Sequence, residues 1–188
     1  MQGELDVSAP NGLKGYVWAS NTDIGVPGLD TEVDLMAGWS GGKKFVWDLG
    51  LVYYAYPGYR DLNYPEAYVG VSTDVTGKFN LGGKIWYSHD YGASGAAGEY
   101  YEANGSVALP WWDLSLGLHV GHSAGKYWDS ASNGGYTDYA VGLSKSIQRL
   151  SLSLKVIDGS DLKDAGEALL STDRKIVFGI ATTLPWKD

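Results

Sequence analysis

The residues best able to carry chemistry are the histidines, and their spacing argues against catalysis. His119 and His122 lie in the segment LHVGH; three positions apart in a strand, they point to opposite faces and cannot share a zinc ion. Ser115 precedes His119 by about 13 Å of strand, too far for direct contact within that strand. We interpret His89 and Asp90 as a solvated pair. We therefore predict no catalytic residue, no metal site and no cofactor.

Composition excludes several classes of protein. The chain has 188 residues, a net charge of -8 and no cysteine, so it lacks the basic stripe of a nucleic-acid-binding protein and cannot form disulfides. No apolar run approaches the roughly 20 residues of a membrane-spanning helix. No linker divides the chain, so we predict a single domain over residues 1–188. The residues after Met1 do not resemble a secretion signal, so we expect any such signal to have been removed or never present.

Apolar and polar residues alternate along most of the chain, which is typical of strands with two different faces. In KFVWDLGLVYYAYPG, for example, Trp47 and Leu49 share one face and Asp48 lies on the other. The segment LKGYVWASN is an exception, because Tyr16 and Trp18 face away from its aliphatic residues. The pattern predicts an all-β chain with about eleven strands, most of them near the roughly 9 to 11 residues that cross a bilayer as a tilted strand.

Two kinds of connection alternate between the predicted strands. Short ones, such as residues 10–12 and 41–43, are followed by longer polar ones, such as residues 21–30 and 57–63. This order predicts an antiparallel up-and-down transmembrane β-barrel with tight turns at one rim and loops at the other.

The polar face is rich in Gly, Ser and acids, which suits a crowded, wet lumen better than the outside of a soluble sheet. We expect the following charged or titratable side chains to line the lumen: Glu4, Asp6, Glu32, Asp34, Asp48, Glu66, Lys84, Glu102, His119, Asp138, Lys155 and Lys175. Acids predominate and come mainly from the early strands, which predicts a transverse field and a preference for cations. The alternative is that acids and lysines pair into a plug that leaves no conducting path.

Tyrosine and tryptophan are unusually frequent, with 14 and 8 copies beside 3 phenylalanines. Such amphipathic rings concentrate where hydrocarbon meets water. On the apolar face they fall near the strand ends and predict two membrane-interface belts, formed by Trp39, Trp47, Tyr53, Tyr87, Tyr101, Trp111, Trp112, Tyr139 and Trp186. A soluble lipocalin-like barrel, with the apolar face inside, remains an alternative at this point.

Segments across nearly the whole chain, GYVWASNTD, TEVDLMAGWSG, WDLGLVYYAYPG, YPEAYVGVS, LSLGLHVGHSAG and YTDYAVGLSKSI, resemble the TorF-type porins of proteobacterial outer membranes. The resemblance implies a small antiparallel barrel used for passive transport. It also implies a signal peptide and an additional N-terminal strand, neither of which is present here. Because the first and last predicted strands run in the same direction, we expect twelve strands in the full-length family member and an N-terminal truncation in this chain.

These observations together predict a monomeric barrel of the bacterial outer membrane that needs a lipid bilayer or detergent. Small polar solutes or cations would diffuse through it; nucleic acid is not an expected partner, and no enzyme activity is expected. Two other functions stay open: a non-conducting structural or adhesive barrel that acts through its loops, and a soluble ligand-binding barrel.

Overall fold

A computed structural model describes residues 1–132, 134–160 and 174–182. The eleven predicted strands are confirmed, and within these described ranges regular helix is limited to α1 (Lys126–Ser132) and two single 3₁₀ turns. The strands are β1 (Gln2–Ser8), β2 (Leu13–Asn21), β3 (Thr31–Gly42), β4 (Phe45–Ala55), β5 (Tyr64–Asp74), β6 (Phe79–Ser88), β7 (Gly98–Ala108), β8 (Leu114–Ala124), β9 (Tyr136–Ile147), β10 (Leu150–Gly159) and β11 (Lys175–Thr182).

All eleven strands form one sheet in sequence order. Each pairs antiparallel with the next strand along the chain, which is the predicted up-and-down topology. Short connections, such as residues 43–44 and 148–149, lie at one end of the strands, the turn rim; longer ones, such as residues 22–30, lie at the other end, the loop rim. β1 and β11 both run from the loop rim to the turn rim, and the described residues form no ladder between them.

The sheet curls so that its polar face is concave. Directly paired residues of neighbouring strands share a face of the sheet. Lys14 on β2 contacts Asp48 on β4 across the intervening strand β3, which requires the face that they share to be concave. A pocket on the same face is lined by Glu4 of β1 and Trp86 of β6, which therefore face each other across the interior. We call this concave side the lumen.

The aliphatic rows lie on the convex face and are exposed. Leu51 on β4 has 62% of its surface accessible, and Ile180 on β11 has 63%. Side chains of this kind would be packed in a dry centre if the chain were a lipocalin-like barrel. β2 follows the same rule, because Val17 pairs with outward Leu35, whereas Tyr16 and Trp18 face the lumen.

The outward aromatic residues lie toward the two ends of the strands. Trp39, Trp47, Trp111 and Trp112 lie at or near the turn rim, while Tyr53, Tyr87, Tyr101 and Tyr139 lie nearer the loop rim. All eight are exposed. Trp186 lies outside the described residues. Within the described ranges, no helix is long and apolar enough to cross a membrane.

Much of the buried apolar surface lies at the loop rim. Leu29, Tyr56 and Tyr64 form a cluster that the connections after β2, β4 and β6 cover. From Tyr64 a chain of ring contacts continues through Tyr91 to Trp128 on α1, with centroid distances of 5.5 and 5.6 Å. Burial raises the pKa of Tyr56 to about 12 and also raises that of Tyr91, so both phenols stay neutral. We call this assembly the loop-side cap.

Candidate functional site in the lumen

Every residue predicted to line the lumen shares the concave face of the sheet. The ladder register places them there in rows across neighbouring strands; Lys84, for example, pairs with Glu102. The full set comprises Glu4, Asp6, Glu32, Asp34, Asp48, Glu66, Lys84, Glu102, His119, Asp138, Lys155 and Lys175. Seven of them fall into three groups by their contacts and burial.

The first group is an ion bridge that spans five neighbouring strands, β2 to β6. The Asp48 carboxylate binds Lys14 Nζ at 2.6 Å through one oxygen and Lys84 Nζ at 3.1 Å through the other. The Lys84 ammonium also lies 4.3 Å from the centroid of the Tyr68 ring and 5.0 Å from that of Trp86, within the range of a cation–π contact. One carboxylate therefore compensates two lysines, and the bridge leaves a local positive charge near the turn rim.

The second group is a hydrogen-bonded network centred on His119. Its Nε2 lies 2.8 Å from Asp138 Oδ1 and 3.0 Å from the Tyr100 hydroxyl, which also donates to Asp138 Oδ2. Its Nδ1 lies 2.8 Å from Asn104 Oδ1, while the amide nitrogen of Asn104 donates to Glu102. Since Asn104 offers its carbonyl and Asp138 its carboxylate, both ring nitrogens of His119 face acceptors. The network ties β7, β8 and β9 together.

Trp86 joins the two groups. Its indole N–H donates to Glu102 Oε1 at 3.3 Å, and its ring lies beneath Lys84. A continuous belt of polar contacts therefore runs along the lumen wall from Lys14 on β2 to Asp138 on β9. Such a belt fixes the positions of charged side chains that would otherwise be mobile in water.

The third group consists of acids in the side-chain-filled half of the lumen, at the loop-side ends of β3 to β5. Asp34 is 9% exposed and Glu66 is 7% exposed, beside Val52 at 1%. Tyr54 donates a hydrogen bond of 2.9 Å to Glu66 Oε2, and Asp34 Oδ1 has no partner among the described residues. These carboxylates lie among packed tyrosines, so this side of the lumen offers little room for a solute.

The other half, toward the turn rim along β4 to β10, is open. It encloses a cavity of about 610 Å³ lined by Asp48, Lys84, Glu102, His119 and Lys155. Glycines leave the space free: a Cβ at Gly117 would find no neighbouring atom closer than 3.9 Å. The polar belt therefore borders a water-accessible cavity, and side chains do not fill this part of the lumen.

Lys14 and Trp86 are lumen residues that the prediction missed. Lys14 could have been found by continuing the inward row of Tyr16 and Trp18 by one step along β2. Trp86 follows from the alternation of β6, where it shares a face with Lys84. The contacts that each makes across strands depend on register and curvature, for which these segments carry no signal.

The remaining candidates for chemistry are dispersed. His119 and His122 lie on opposite faces, as their spacing predicted, because His122 pairs with outward Tyr101. Asp90 accepts a hydrogen bond from the backbone N–H of Gly95 in its own loop. Within the described ranges, no three His, Asp or Glu side chains converge to hold a metal ion.

Comparison with solved structures finds a similar fold. The structure is similar to one described as the NanC porin, with a TM-score of 0.71 and 11% identity over 97% of this chain and 92% of that one. The outer membrane channel DcaP of Acinetobacter baumannii is a more distant likeness, with a TM-score of 0.47 and 13% identity over 84% of this chain and 55% of that one.

No curated protein matches the chain. The fold is thus the antiparallel barrel of the NanC porin. Residues 1–183 match a family model described as "Bacterial protein of unknown function (Gcw_chp)", and the chain belongs to that family.

Proposed function

We propose that this protein is a monomeric barrel of the bacterial outer membrane through which small polar solutes diffuse. The observation that carries the proposal is the two-sidedness of the sheet. An exposed aliphatic face lies between two sets of aromatic side chains, and a cavity of about 610 Å³ lies on the charged inner face. Hydrocarbon on one side and water on the other satisfy both faces, whereas water on both sides would leave every aliphatic row solvated.

Three further observations support the membrane location. Strands β3 to β5 have 11 or 12 residues, long enough to cross a bilayer when tilted. Antiparallel neighbours satisfy the backbone groups of the interior strands without solvent, as hydrocarbon requires. The NanC protein, with which the chain shares its fold, is described as a porin. We also propose the narrower assignment to the TorF-type porins that the sequence segments resemble.

We propose a weak preference for cations. The eight acids predicted to face inward outnumber the inward lysines, Lys14, Lys84, Lys155 and Lys175, and an excess of like charge in a narrow pore attracts counterions. The preference is weak because Lys14 and Lys84 compensate Asp48, and because Asp34 and Glu66 lie in the filled half.

Planar-bilayer recording of the detergent-purified chain tests the proposal. We expect discrete conductance steps, and a reversal potential in a KCl gradient that shows K⁺ to be the more permeant ion. Absence of steps from protein whose heat-modifiable gel mobility shows a folded barrel would contradict the channel. Conduction with an anion preference would contradict only the selectivity.

The loop-side cap favours a second candidate, a barrel that is closed and acts structurally. Packed rings such as Tyr64 and Trp128 occupy part of the loop rim. Liposome swelling separates the two functions: entry of small sugars supports the channel, and impermeable proteoliposomes that contain folded protein support the closed barrel.

No catalysis is included in either proposal, since the His119 network contains no serine, threonine or cysteine nucleophile.

A further inference from the structure

Two lysines near the end of the chain differ from the other lysines of the lumen. Lys155 on β10 and Lys175 on β11 share the inner face, and Lys175 lies two residues before Val177, the partner of Lys155. Such diagonal neighbours have Cα atoms about 7 to 8 Å apart. Lys14 and Lys84 are bound to Asp48, whereas neither Lys155 nor Lys175 forms an ion pair with a described residue. Their charges therefore remain available to a solute.

The wall beside Lys155 forms a niche. Lys155 pairs with Gly142, and Gly142 pairs with Gly117, so two neighbouring positions carry no side chain. Ser144 and Ser153 pair with each other on the turn side of this floor. Neither hydroxyl has a hydrogen bond to the part of the chain that the structure describes. All five residues line the open cavity, and we call them, together with Lys175, the lysine–serine niche.

We propose that the lysine–serine niche binds a small hydroxylated carboxylate on its way through the lumen. This inference rests on the proposed channel function and names a class of solute for it. The carboxylate would accept charge-assisted hydrogen bonds from Lys155, with Lys175 adding attraction. The solute's hydroxyls would exchange hydrogen bonds with Ser144 and Ser153, since each hydroxyl can both donate and accept. The glycine floor lets the carbon chain lie against the wall.

A local cationic niche is compatible with a weak overall preference for cations. Asp34 and Glu66 lie on β3 and β5, whereas the niche lies on β8 to β11. Charges in water are screened over about 8 Å at physiological ionic strength. A carboxylate can therefore bind at the niche although acids predominate over the lumen as a whole.

Block of the KCl current by D-gluconate tests the proposal. Sorbitol is the matched control ligand, because it has the same six-carbon hydroxylated chain without the carboxylate. We expect gluconate to reduce the current and sorbitol at equal concentration to leave it unchanged. Lys155→Gln should raise the half-blocking gluconate concentration about tenfold, the effect of losing one charge-assisted hydrogen bond. Unchanged block in Lys155→Gln would overturn the assignment.

Two controls isolate the niche. Lys145→Gln removes a lysine from the neighbouring strand, where Lys145 pairs with outward Leu152, and should leave the block unchanged. Gly117→Val fills the floor and keeps every charge, and it should weaken the block as Lys155→Gln does. Inorganic phosphate is the third probe: block as strong as that by gluconate would mean that the niche binds any small anion and would overturn the assignment of a hydroxylated carboxylate.

Binding measured without conduction separates this inference from the channel proposal. Gluconate should raise the unfolding temperature of the detergent-solubilised wild-type chain and should not raise that of Lys155→Gln. A shift in protein that shows no conductance would support the niche and contradict the channel. Conductance without any gluconate shift or block would overturn the niche and leave the channel standing.

Discussion

At the scale of single residues, glycines in the lumen wall determine which polar groups can meet. A Cβ at Gly121 would overlap the Tyr100 hydroxyl and lie 2.6 Å from Asp138 Oδ2. A Cβ at Gly50 would lie 2.5 Å from the Tyr68 ring. Neither glycine has a positive φ, so the requirement is for space rather than for backbone freedom. The tyrosines of the polar belt can lie flat against the wall only where the neighbouring strand carries no side chain.

Gly121→Ala is therefore expected to displace Tyr100 from His119 and Asp138. We expect it to lower the free energy of unfolding by about 1 to 3 kcal/mol, the usual cost of overpacking. Gly117→Ala is the matched control on the same strand and face, because its Cβ enters open space. Urea unfolding from lipid vesicles, followed by tryptophan fluorescence, measures both variants. Equal losses for the two would contradict the steric role of Gly121.

Alternation along a strand predicts the face of each residue but not its partner. Asp48 and Glu102 were placed inward from alternation alone, and the ladder register agrees. That one carboxylate would hold both Lys14 and Lys84 could not be predicted, because these contacts join β4 to strands two positions away. Such contacts depend on how tightly the sheet curls, which is a property of all its strands together.

At the scale of elements, the loop-side cap is where sequence reasoning was least informative. The connections after β2, β4 and β6 have no hydrophobic period, yet they bring Leu29, Tyr56 and Tyr91 together. α1 adds Trp128, whose ring meets Tyr91 at 5.6 Å and Tyr136 at 5.0 Å. The composition of each loop shows that it contains aromatic residues. It does not show that the loops pack against one another, because these contacts join separate loops. The cap narrows the loop rim.

Trp128→Ala tests the mechanical role of the cap. Removing a buried tryptophan costs about 3 to 5 kcal/mol, and we expect the loss to be local, since α1 lies outside the sheet. Proteolysis between β8 and β9 should become faster and single-channel conductance should rise, with the urea midpoint of the barrel unchanged. Trp112→Ala, at the exposed turn rim, is the control and should change neither measurement. A lowered barrel midpoint without faster cleavage would mean that Trp128 supports the sheet instead.

At the scale of the whole molecule, two solvents explain the arrangement of the sheet. Outward aliphatic residues such as Leu51 on β4 and Ile180 on β11 are exposed. Their transfer from water to hydrocarbon would be favourable. Inward charges such as Asp48 and Asp138 are held by partners, and Lys155 faces the cavity. The same chain in water would expose its aliphatic belt and aggregate. The proposed ion selectivity and the proposed solute binding both presuppose this sidedness.

A pair of arginine substitutions at neighbouring positions tests the sidedness directly. Leu118 lies on the outer face in the middle of β8 and pairs with outward Val141, so Leu118→Arg would place a charge in hydrocarbon. We expect it to reduce the free energy of folding into vesicles by about 2 to 4 kcal/mol, the cost of arginine near the bilayer midplane. Ala140→Arg is the matched control, because Ala140 pairs with inward His119 and lines the cavity, where the guanidinium stays in water. Urea titration of vesicle-folded protein measures both costs, and an inward arginine that costs as much as the outward one would mean that the aliphatic belt does not face lipid.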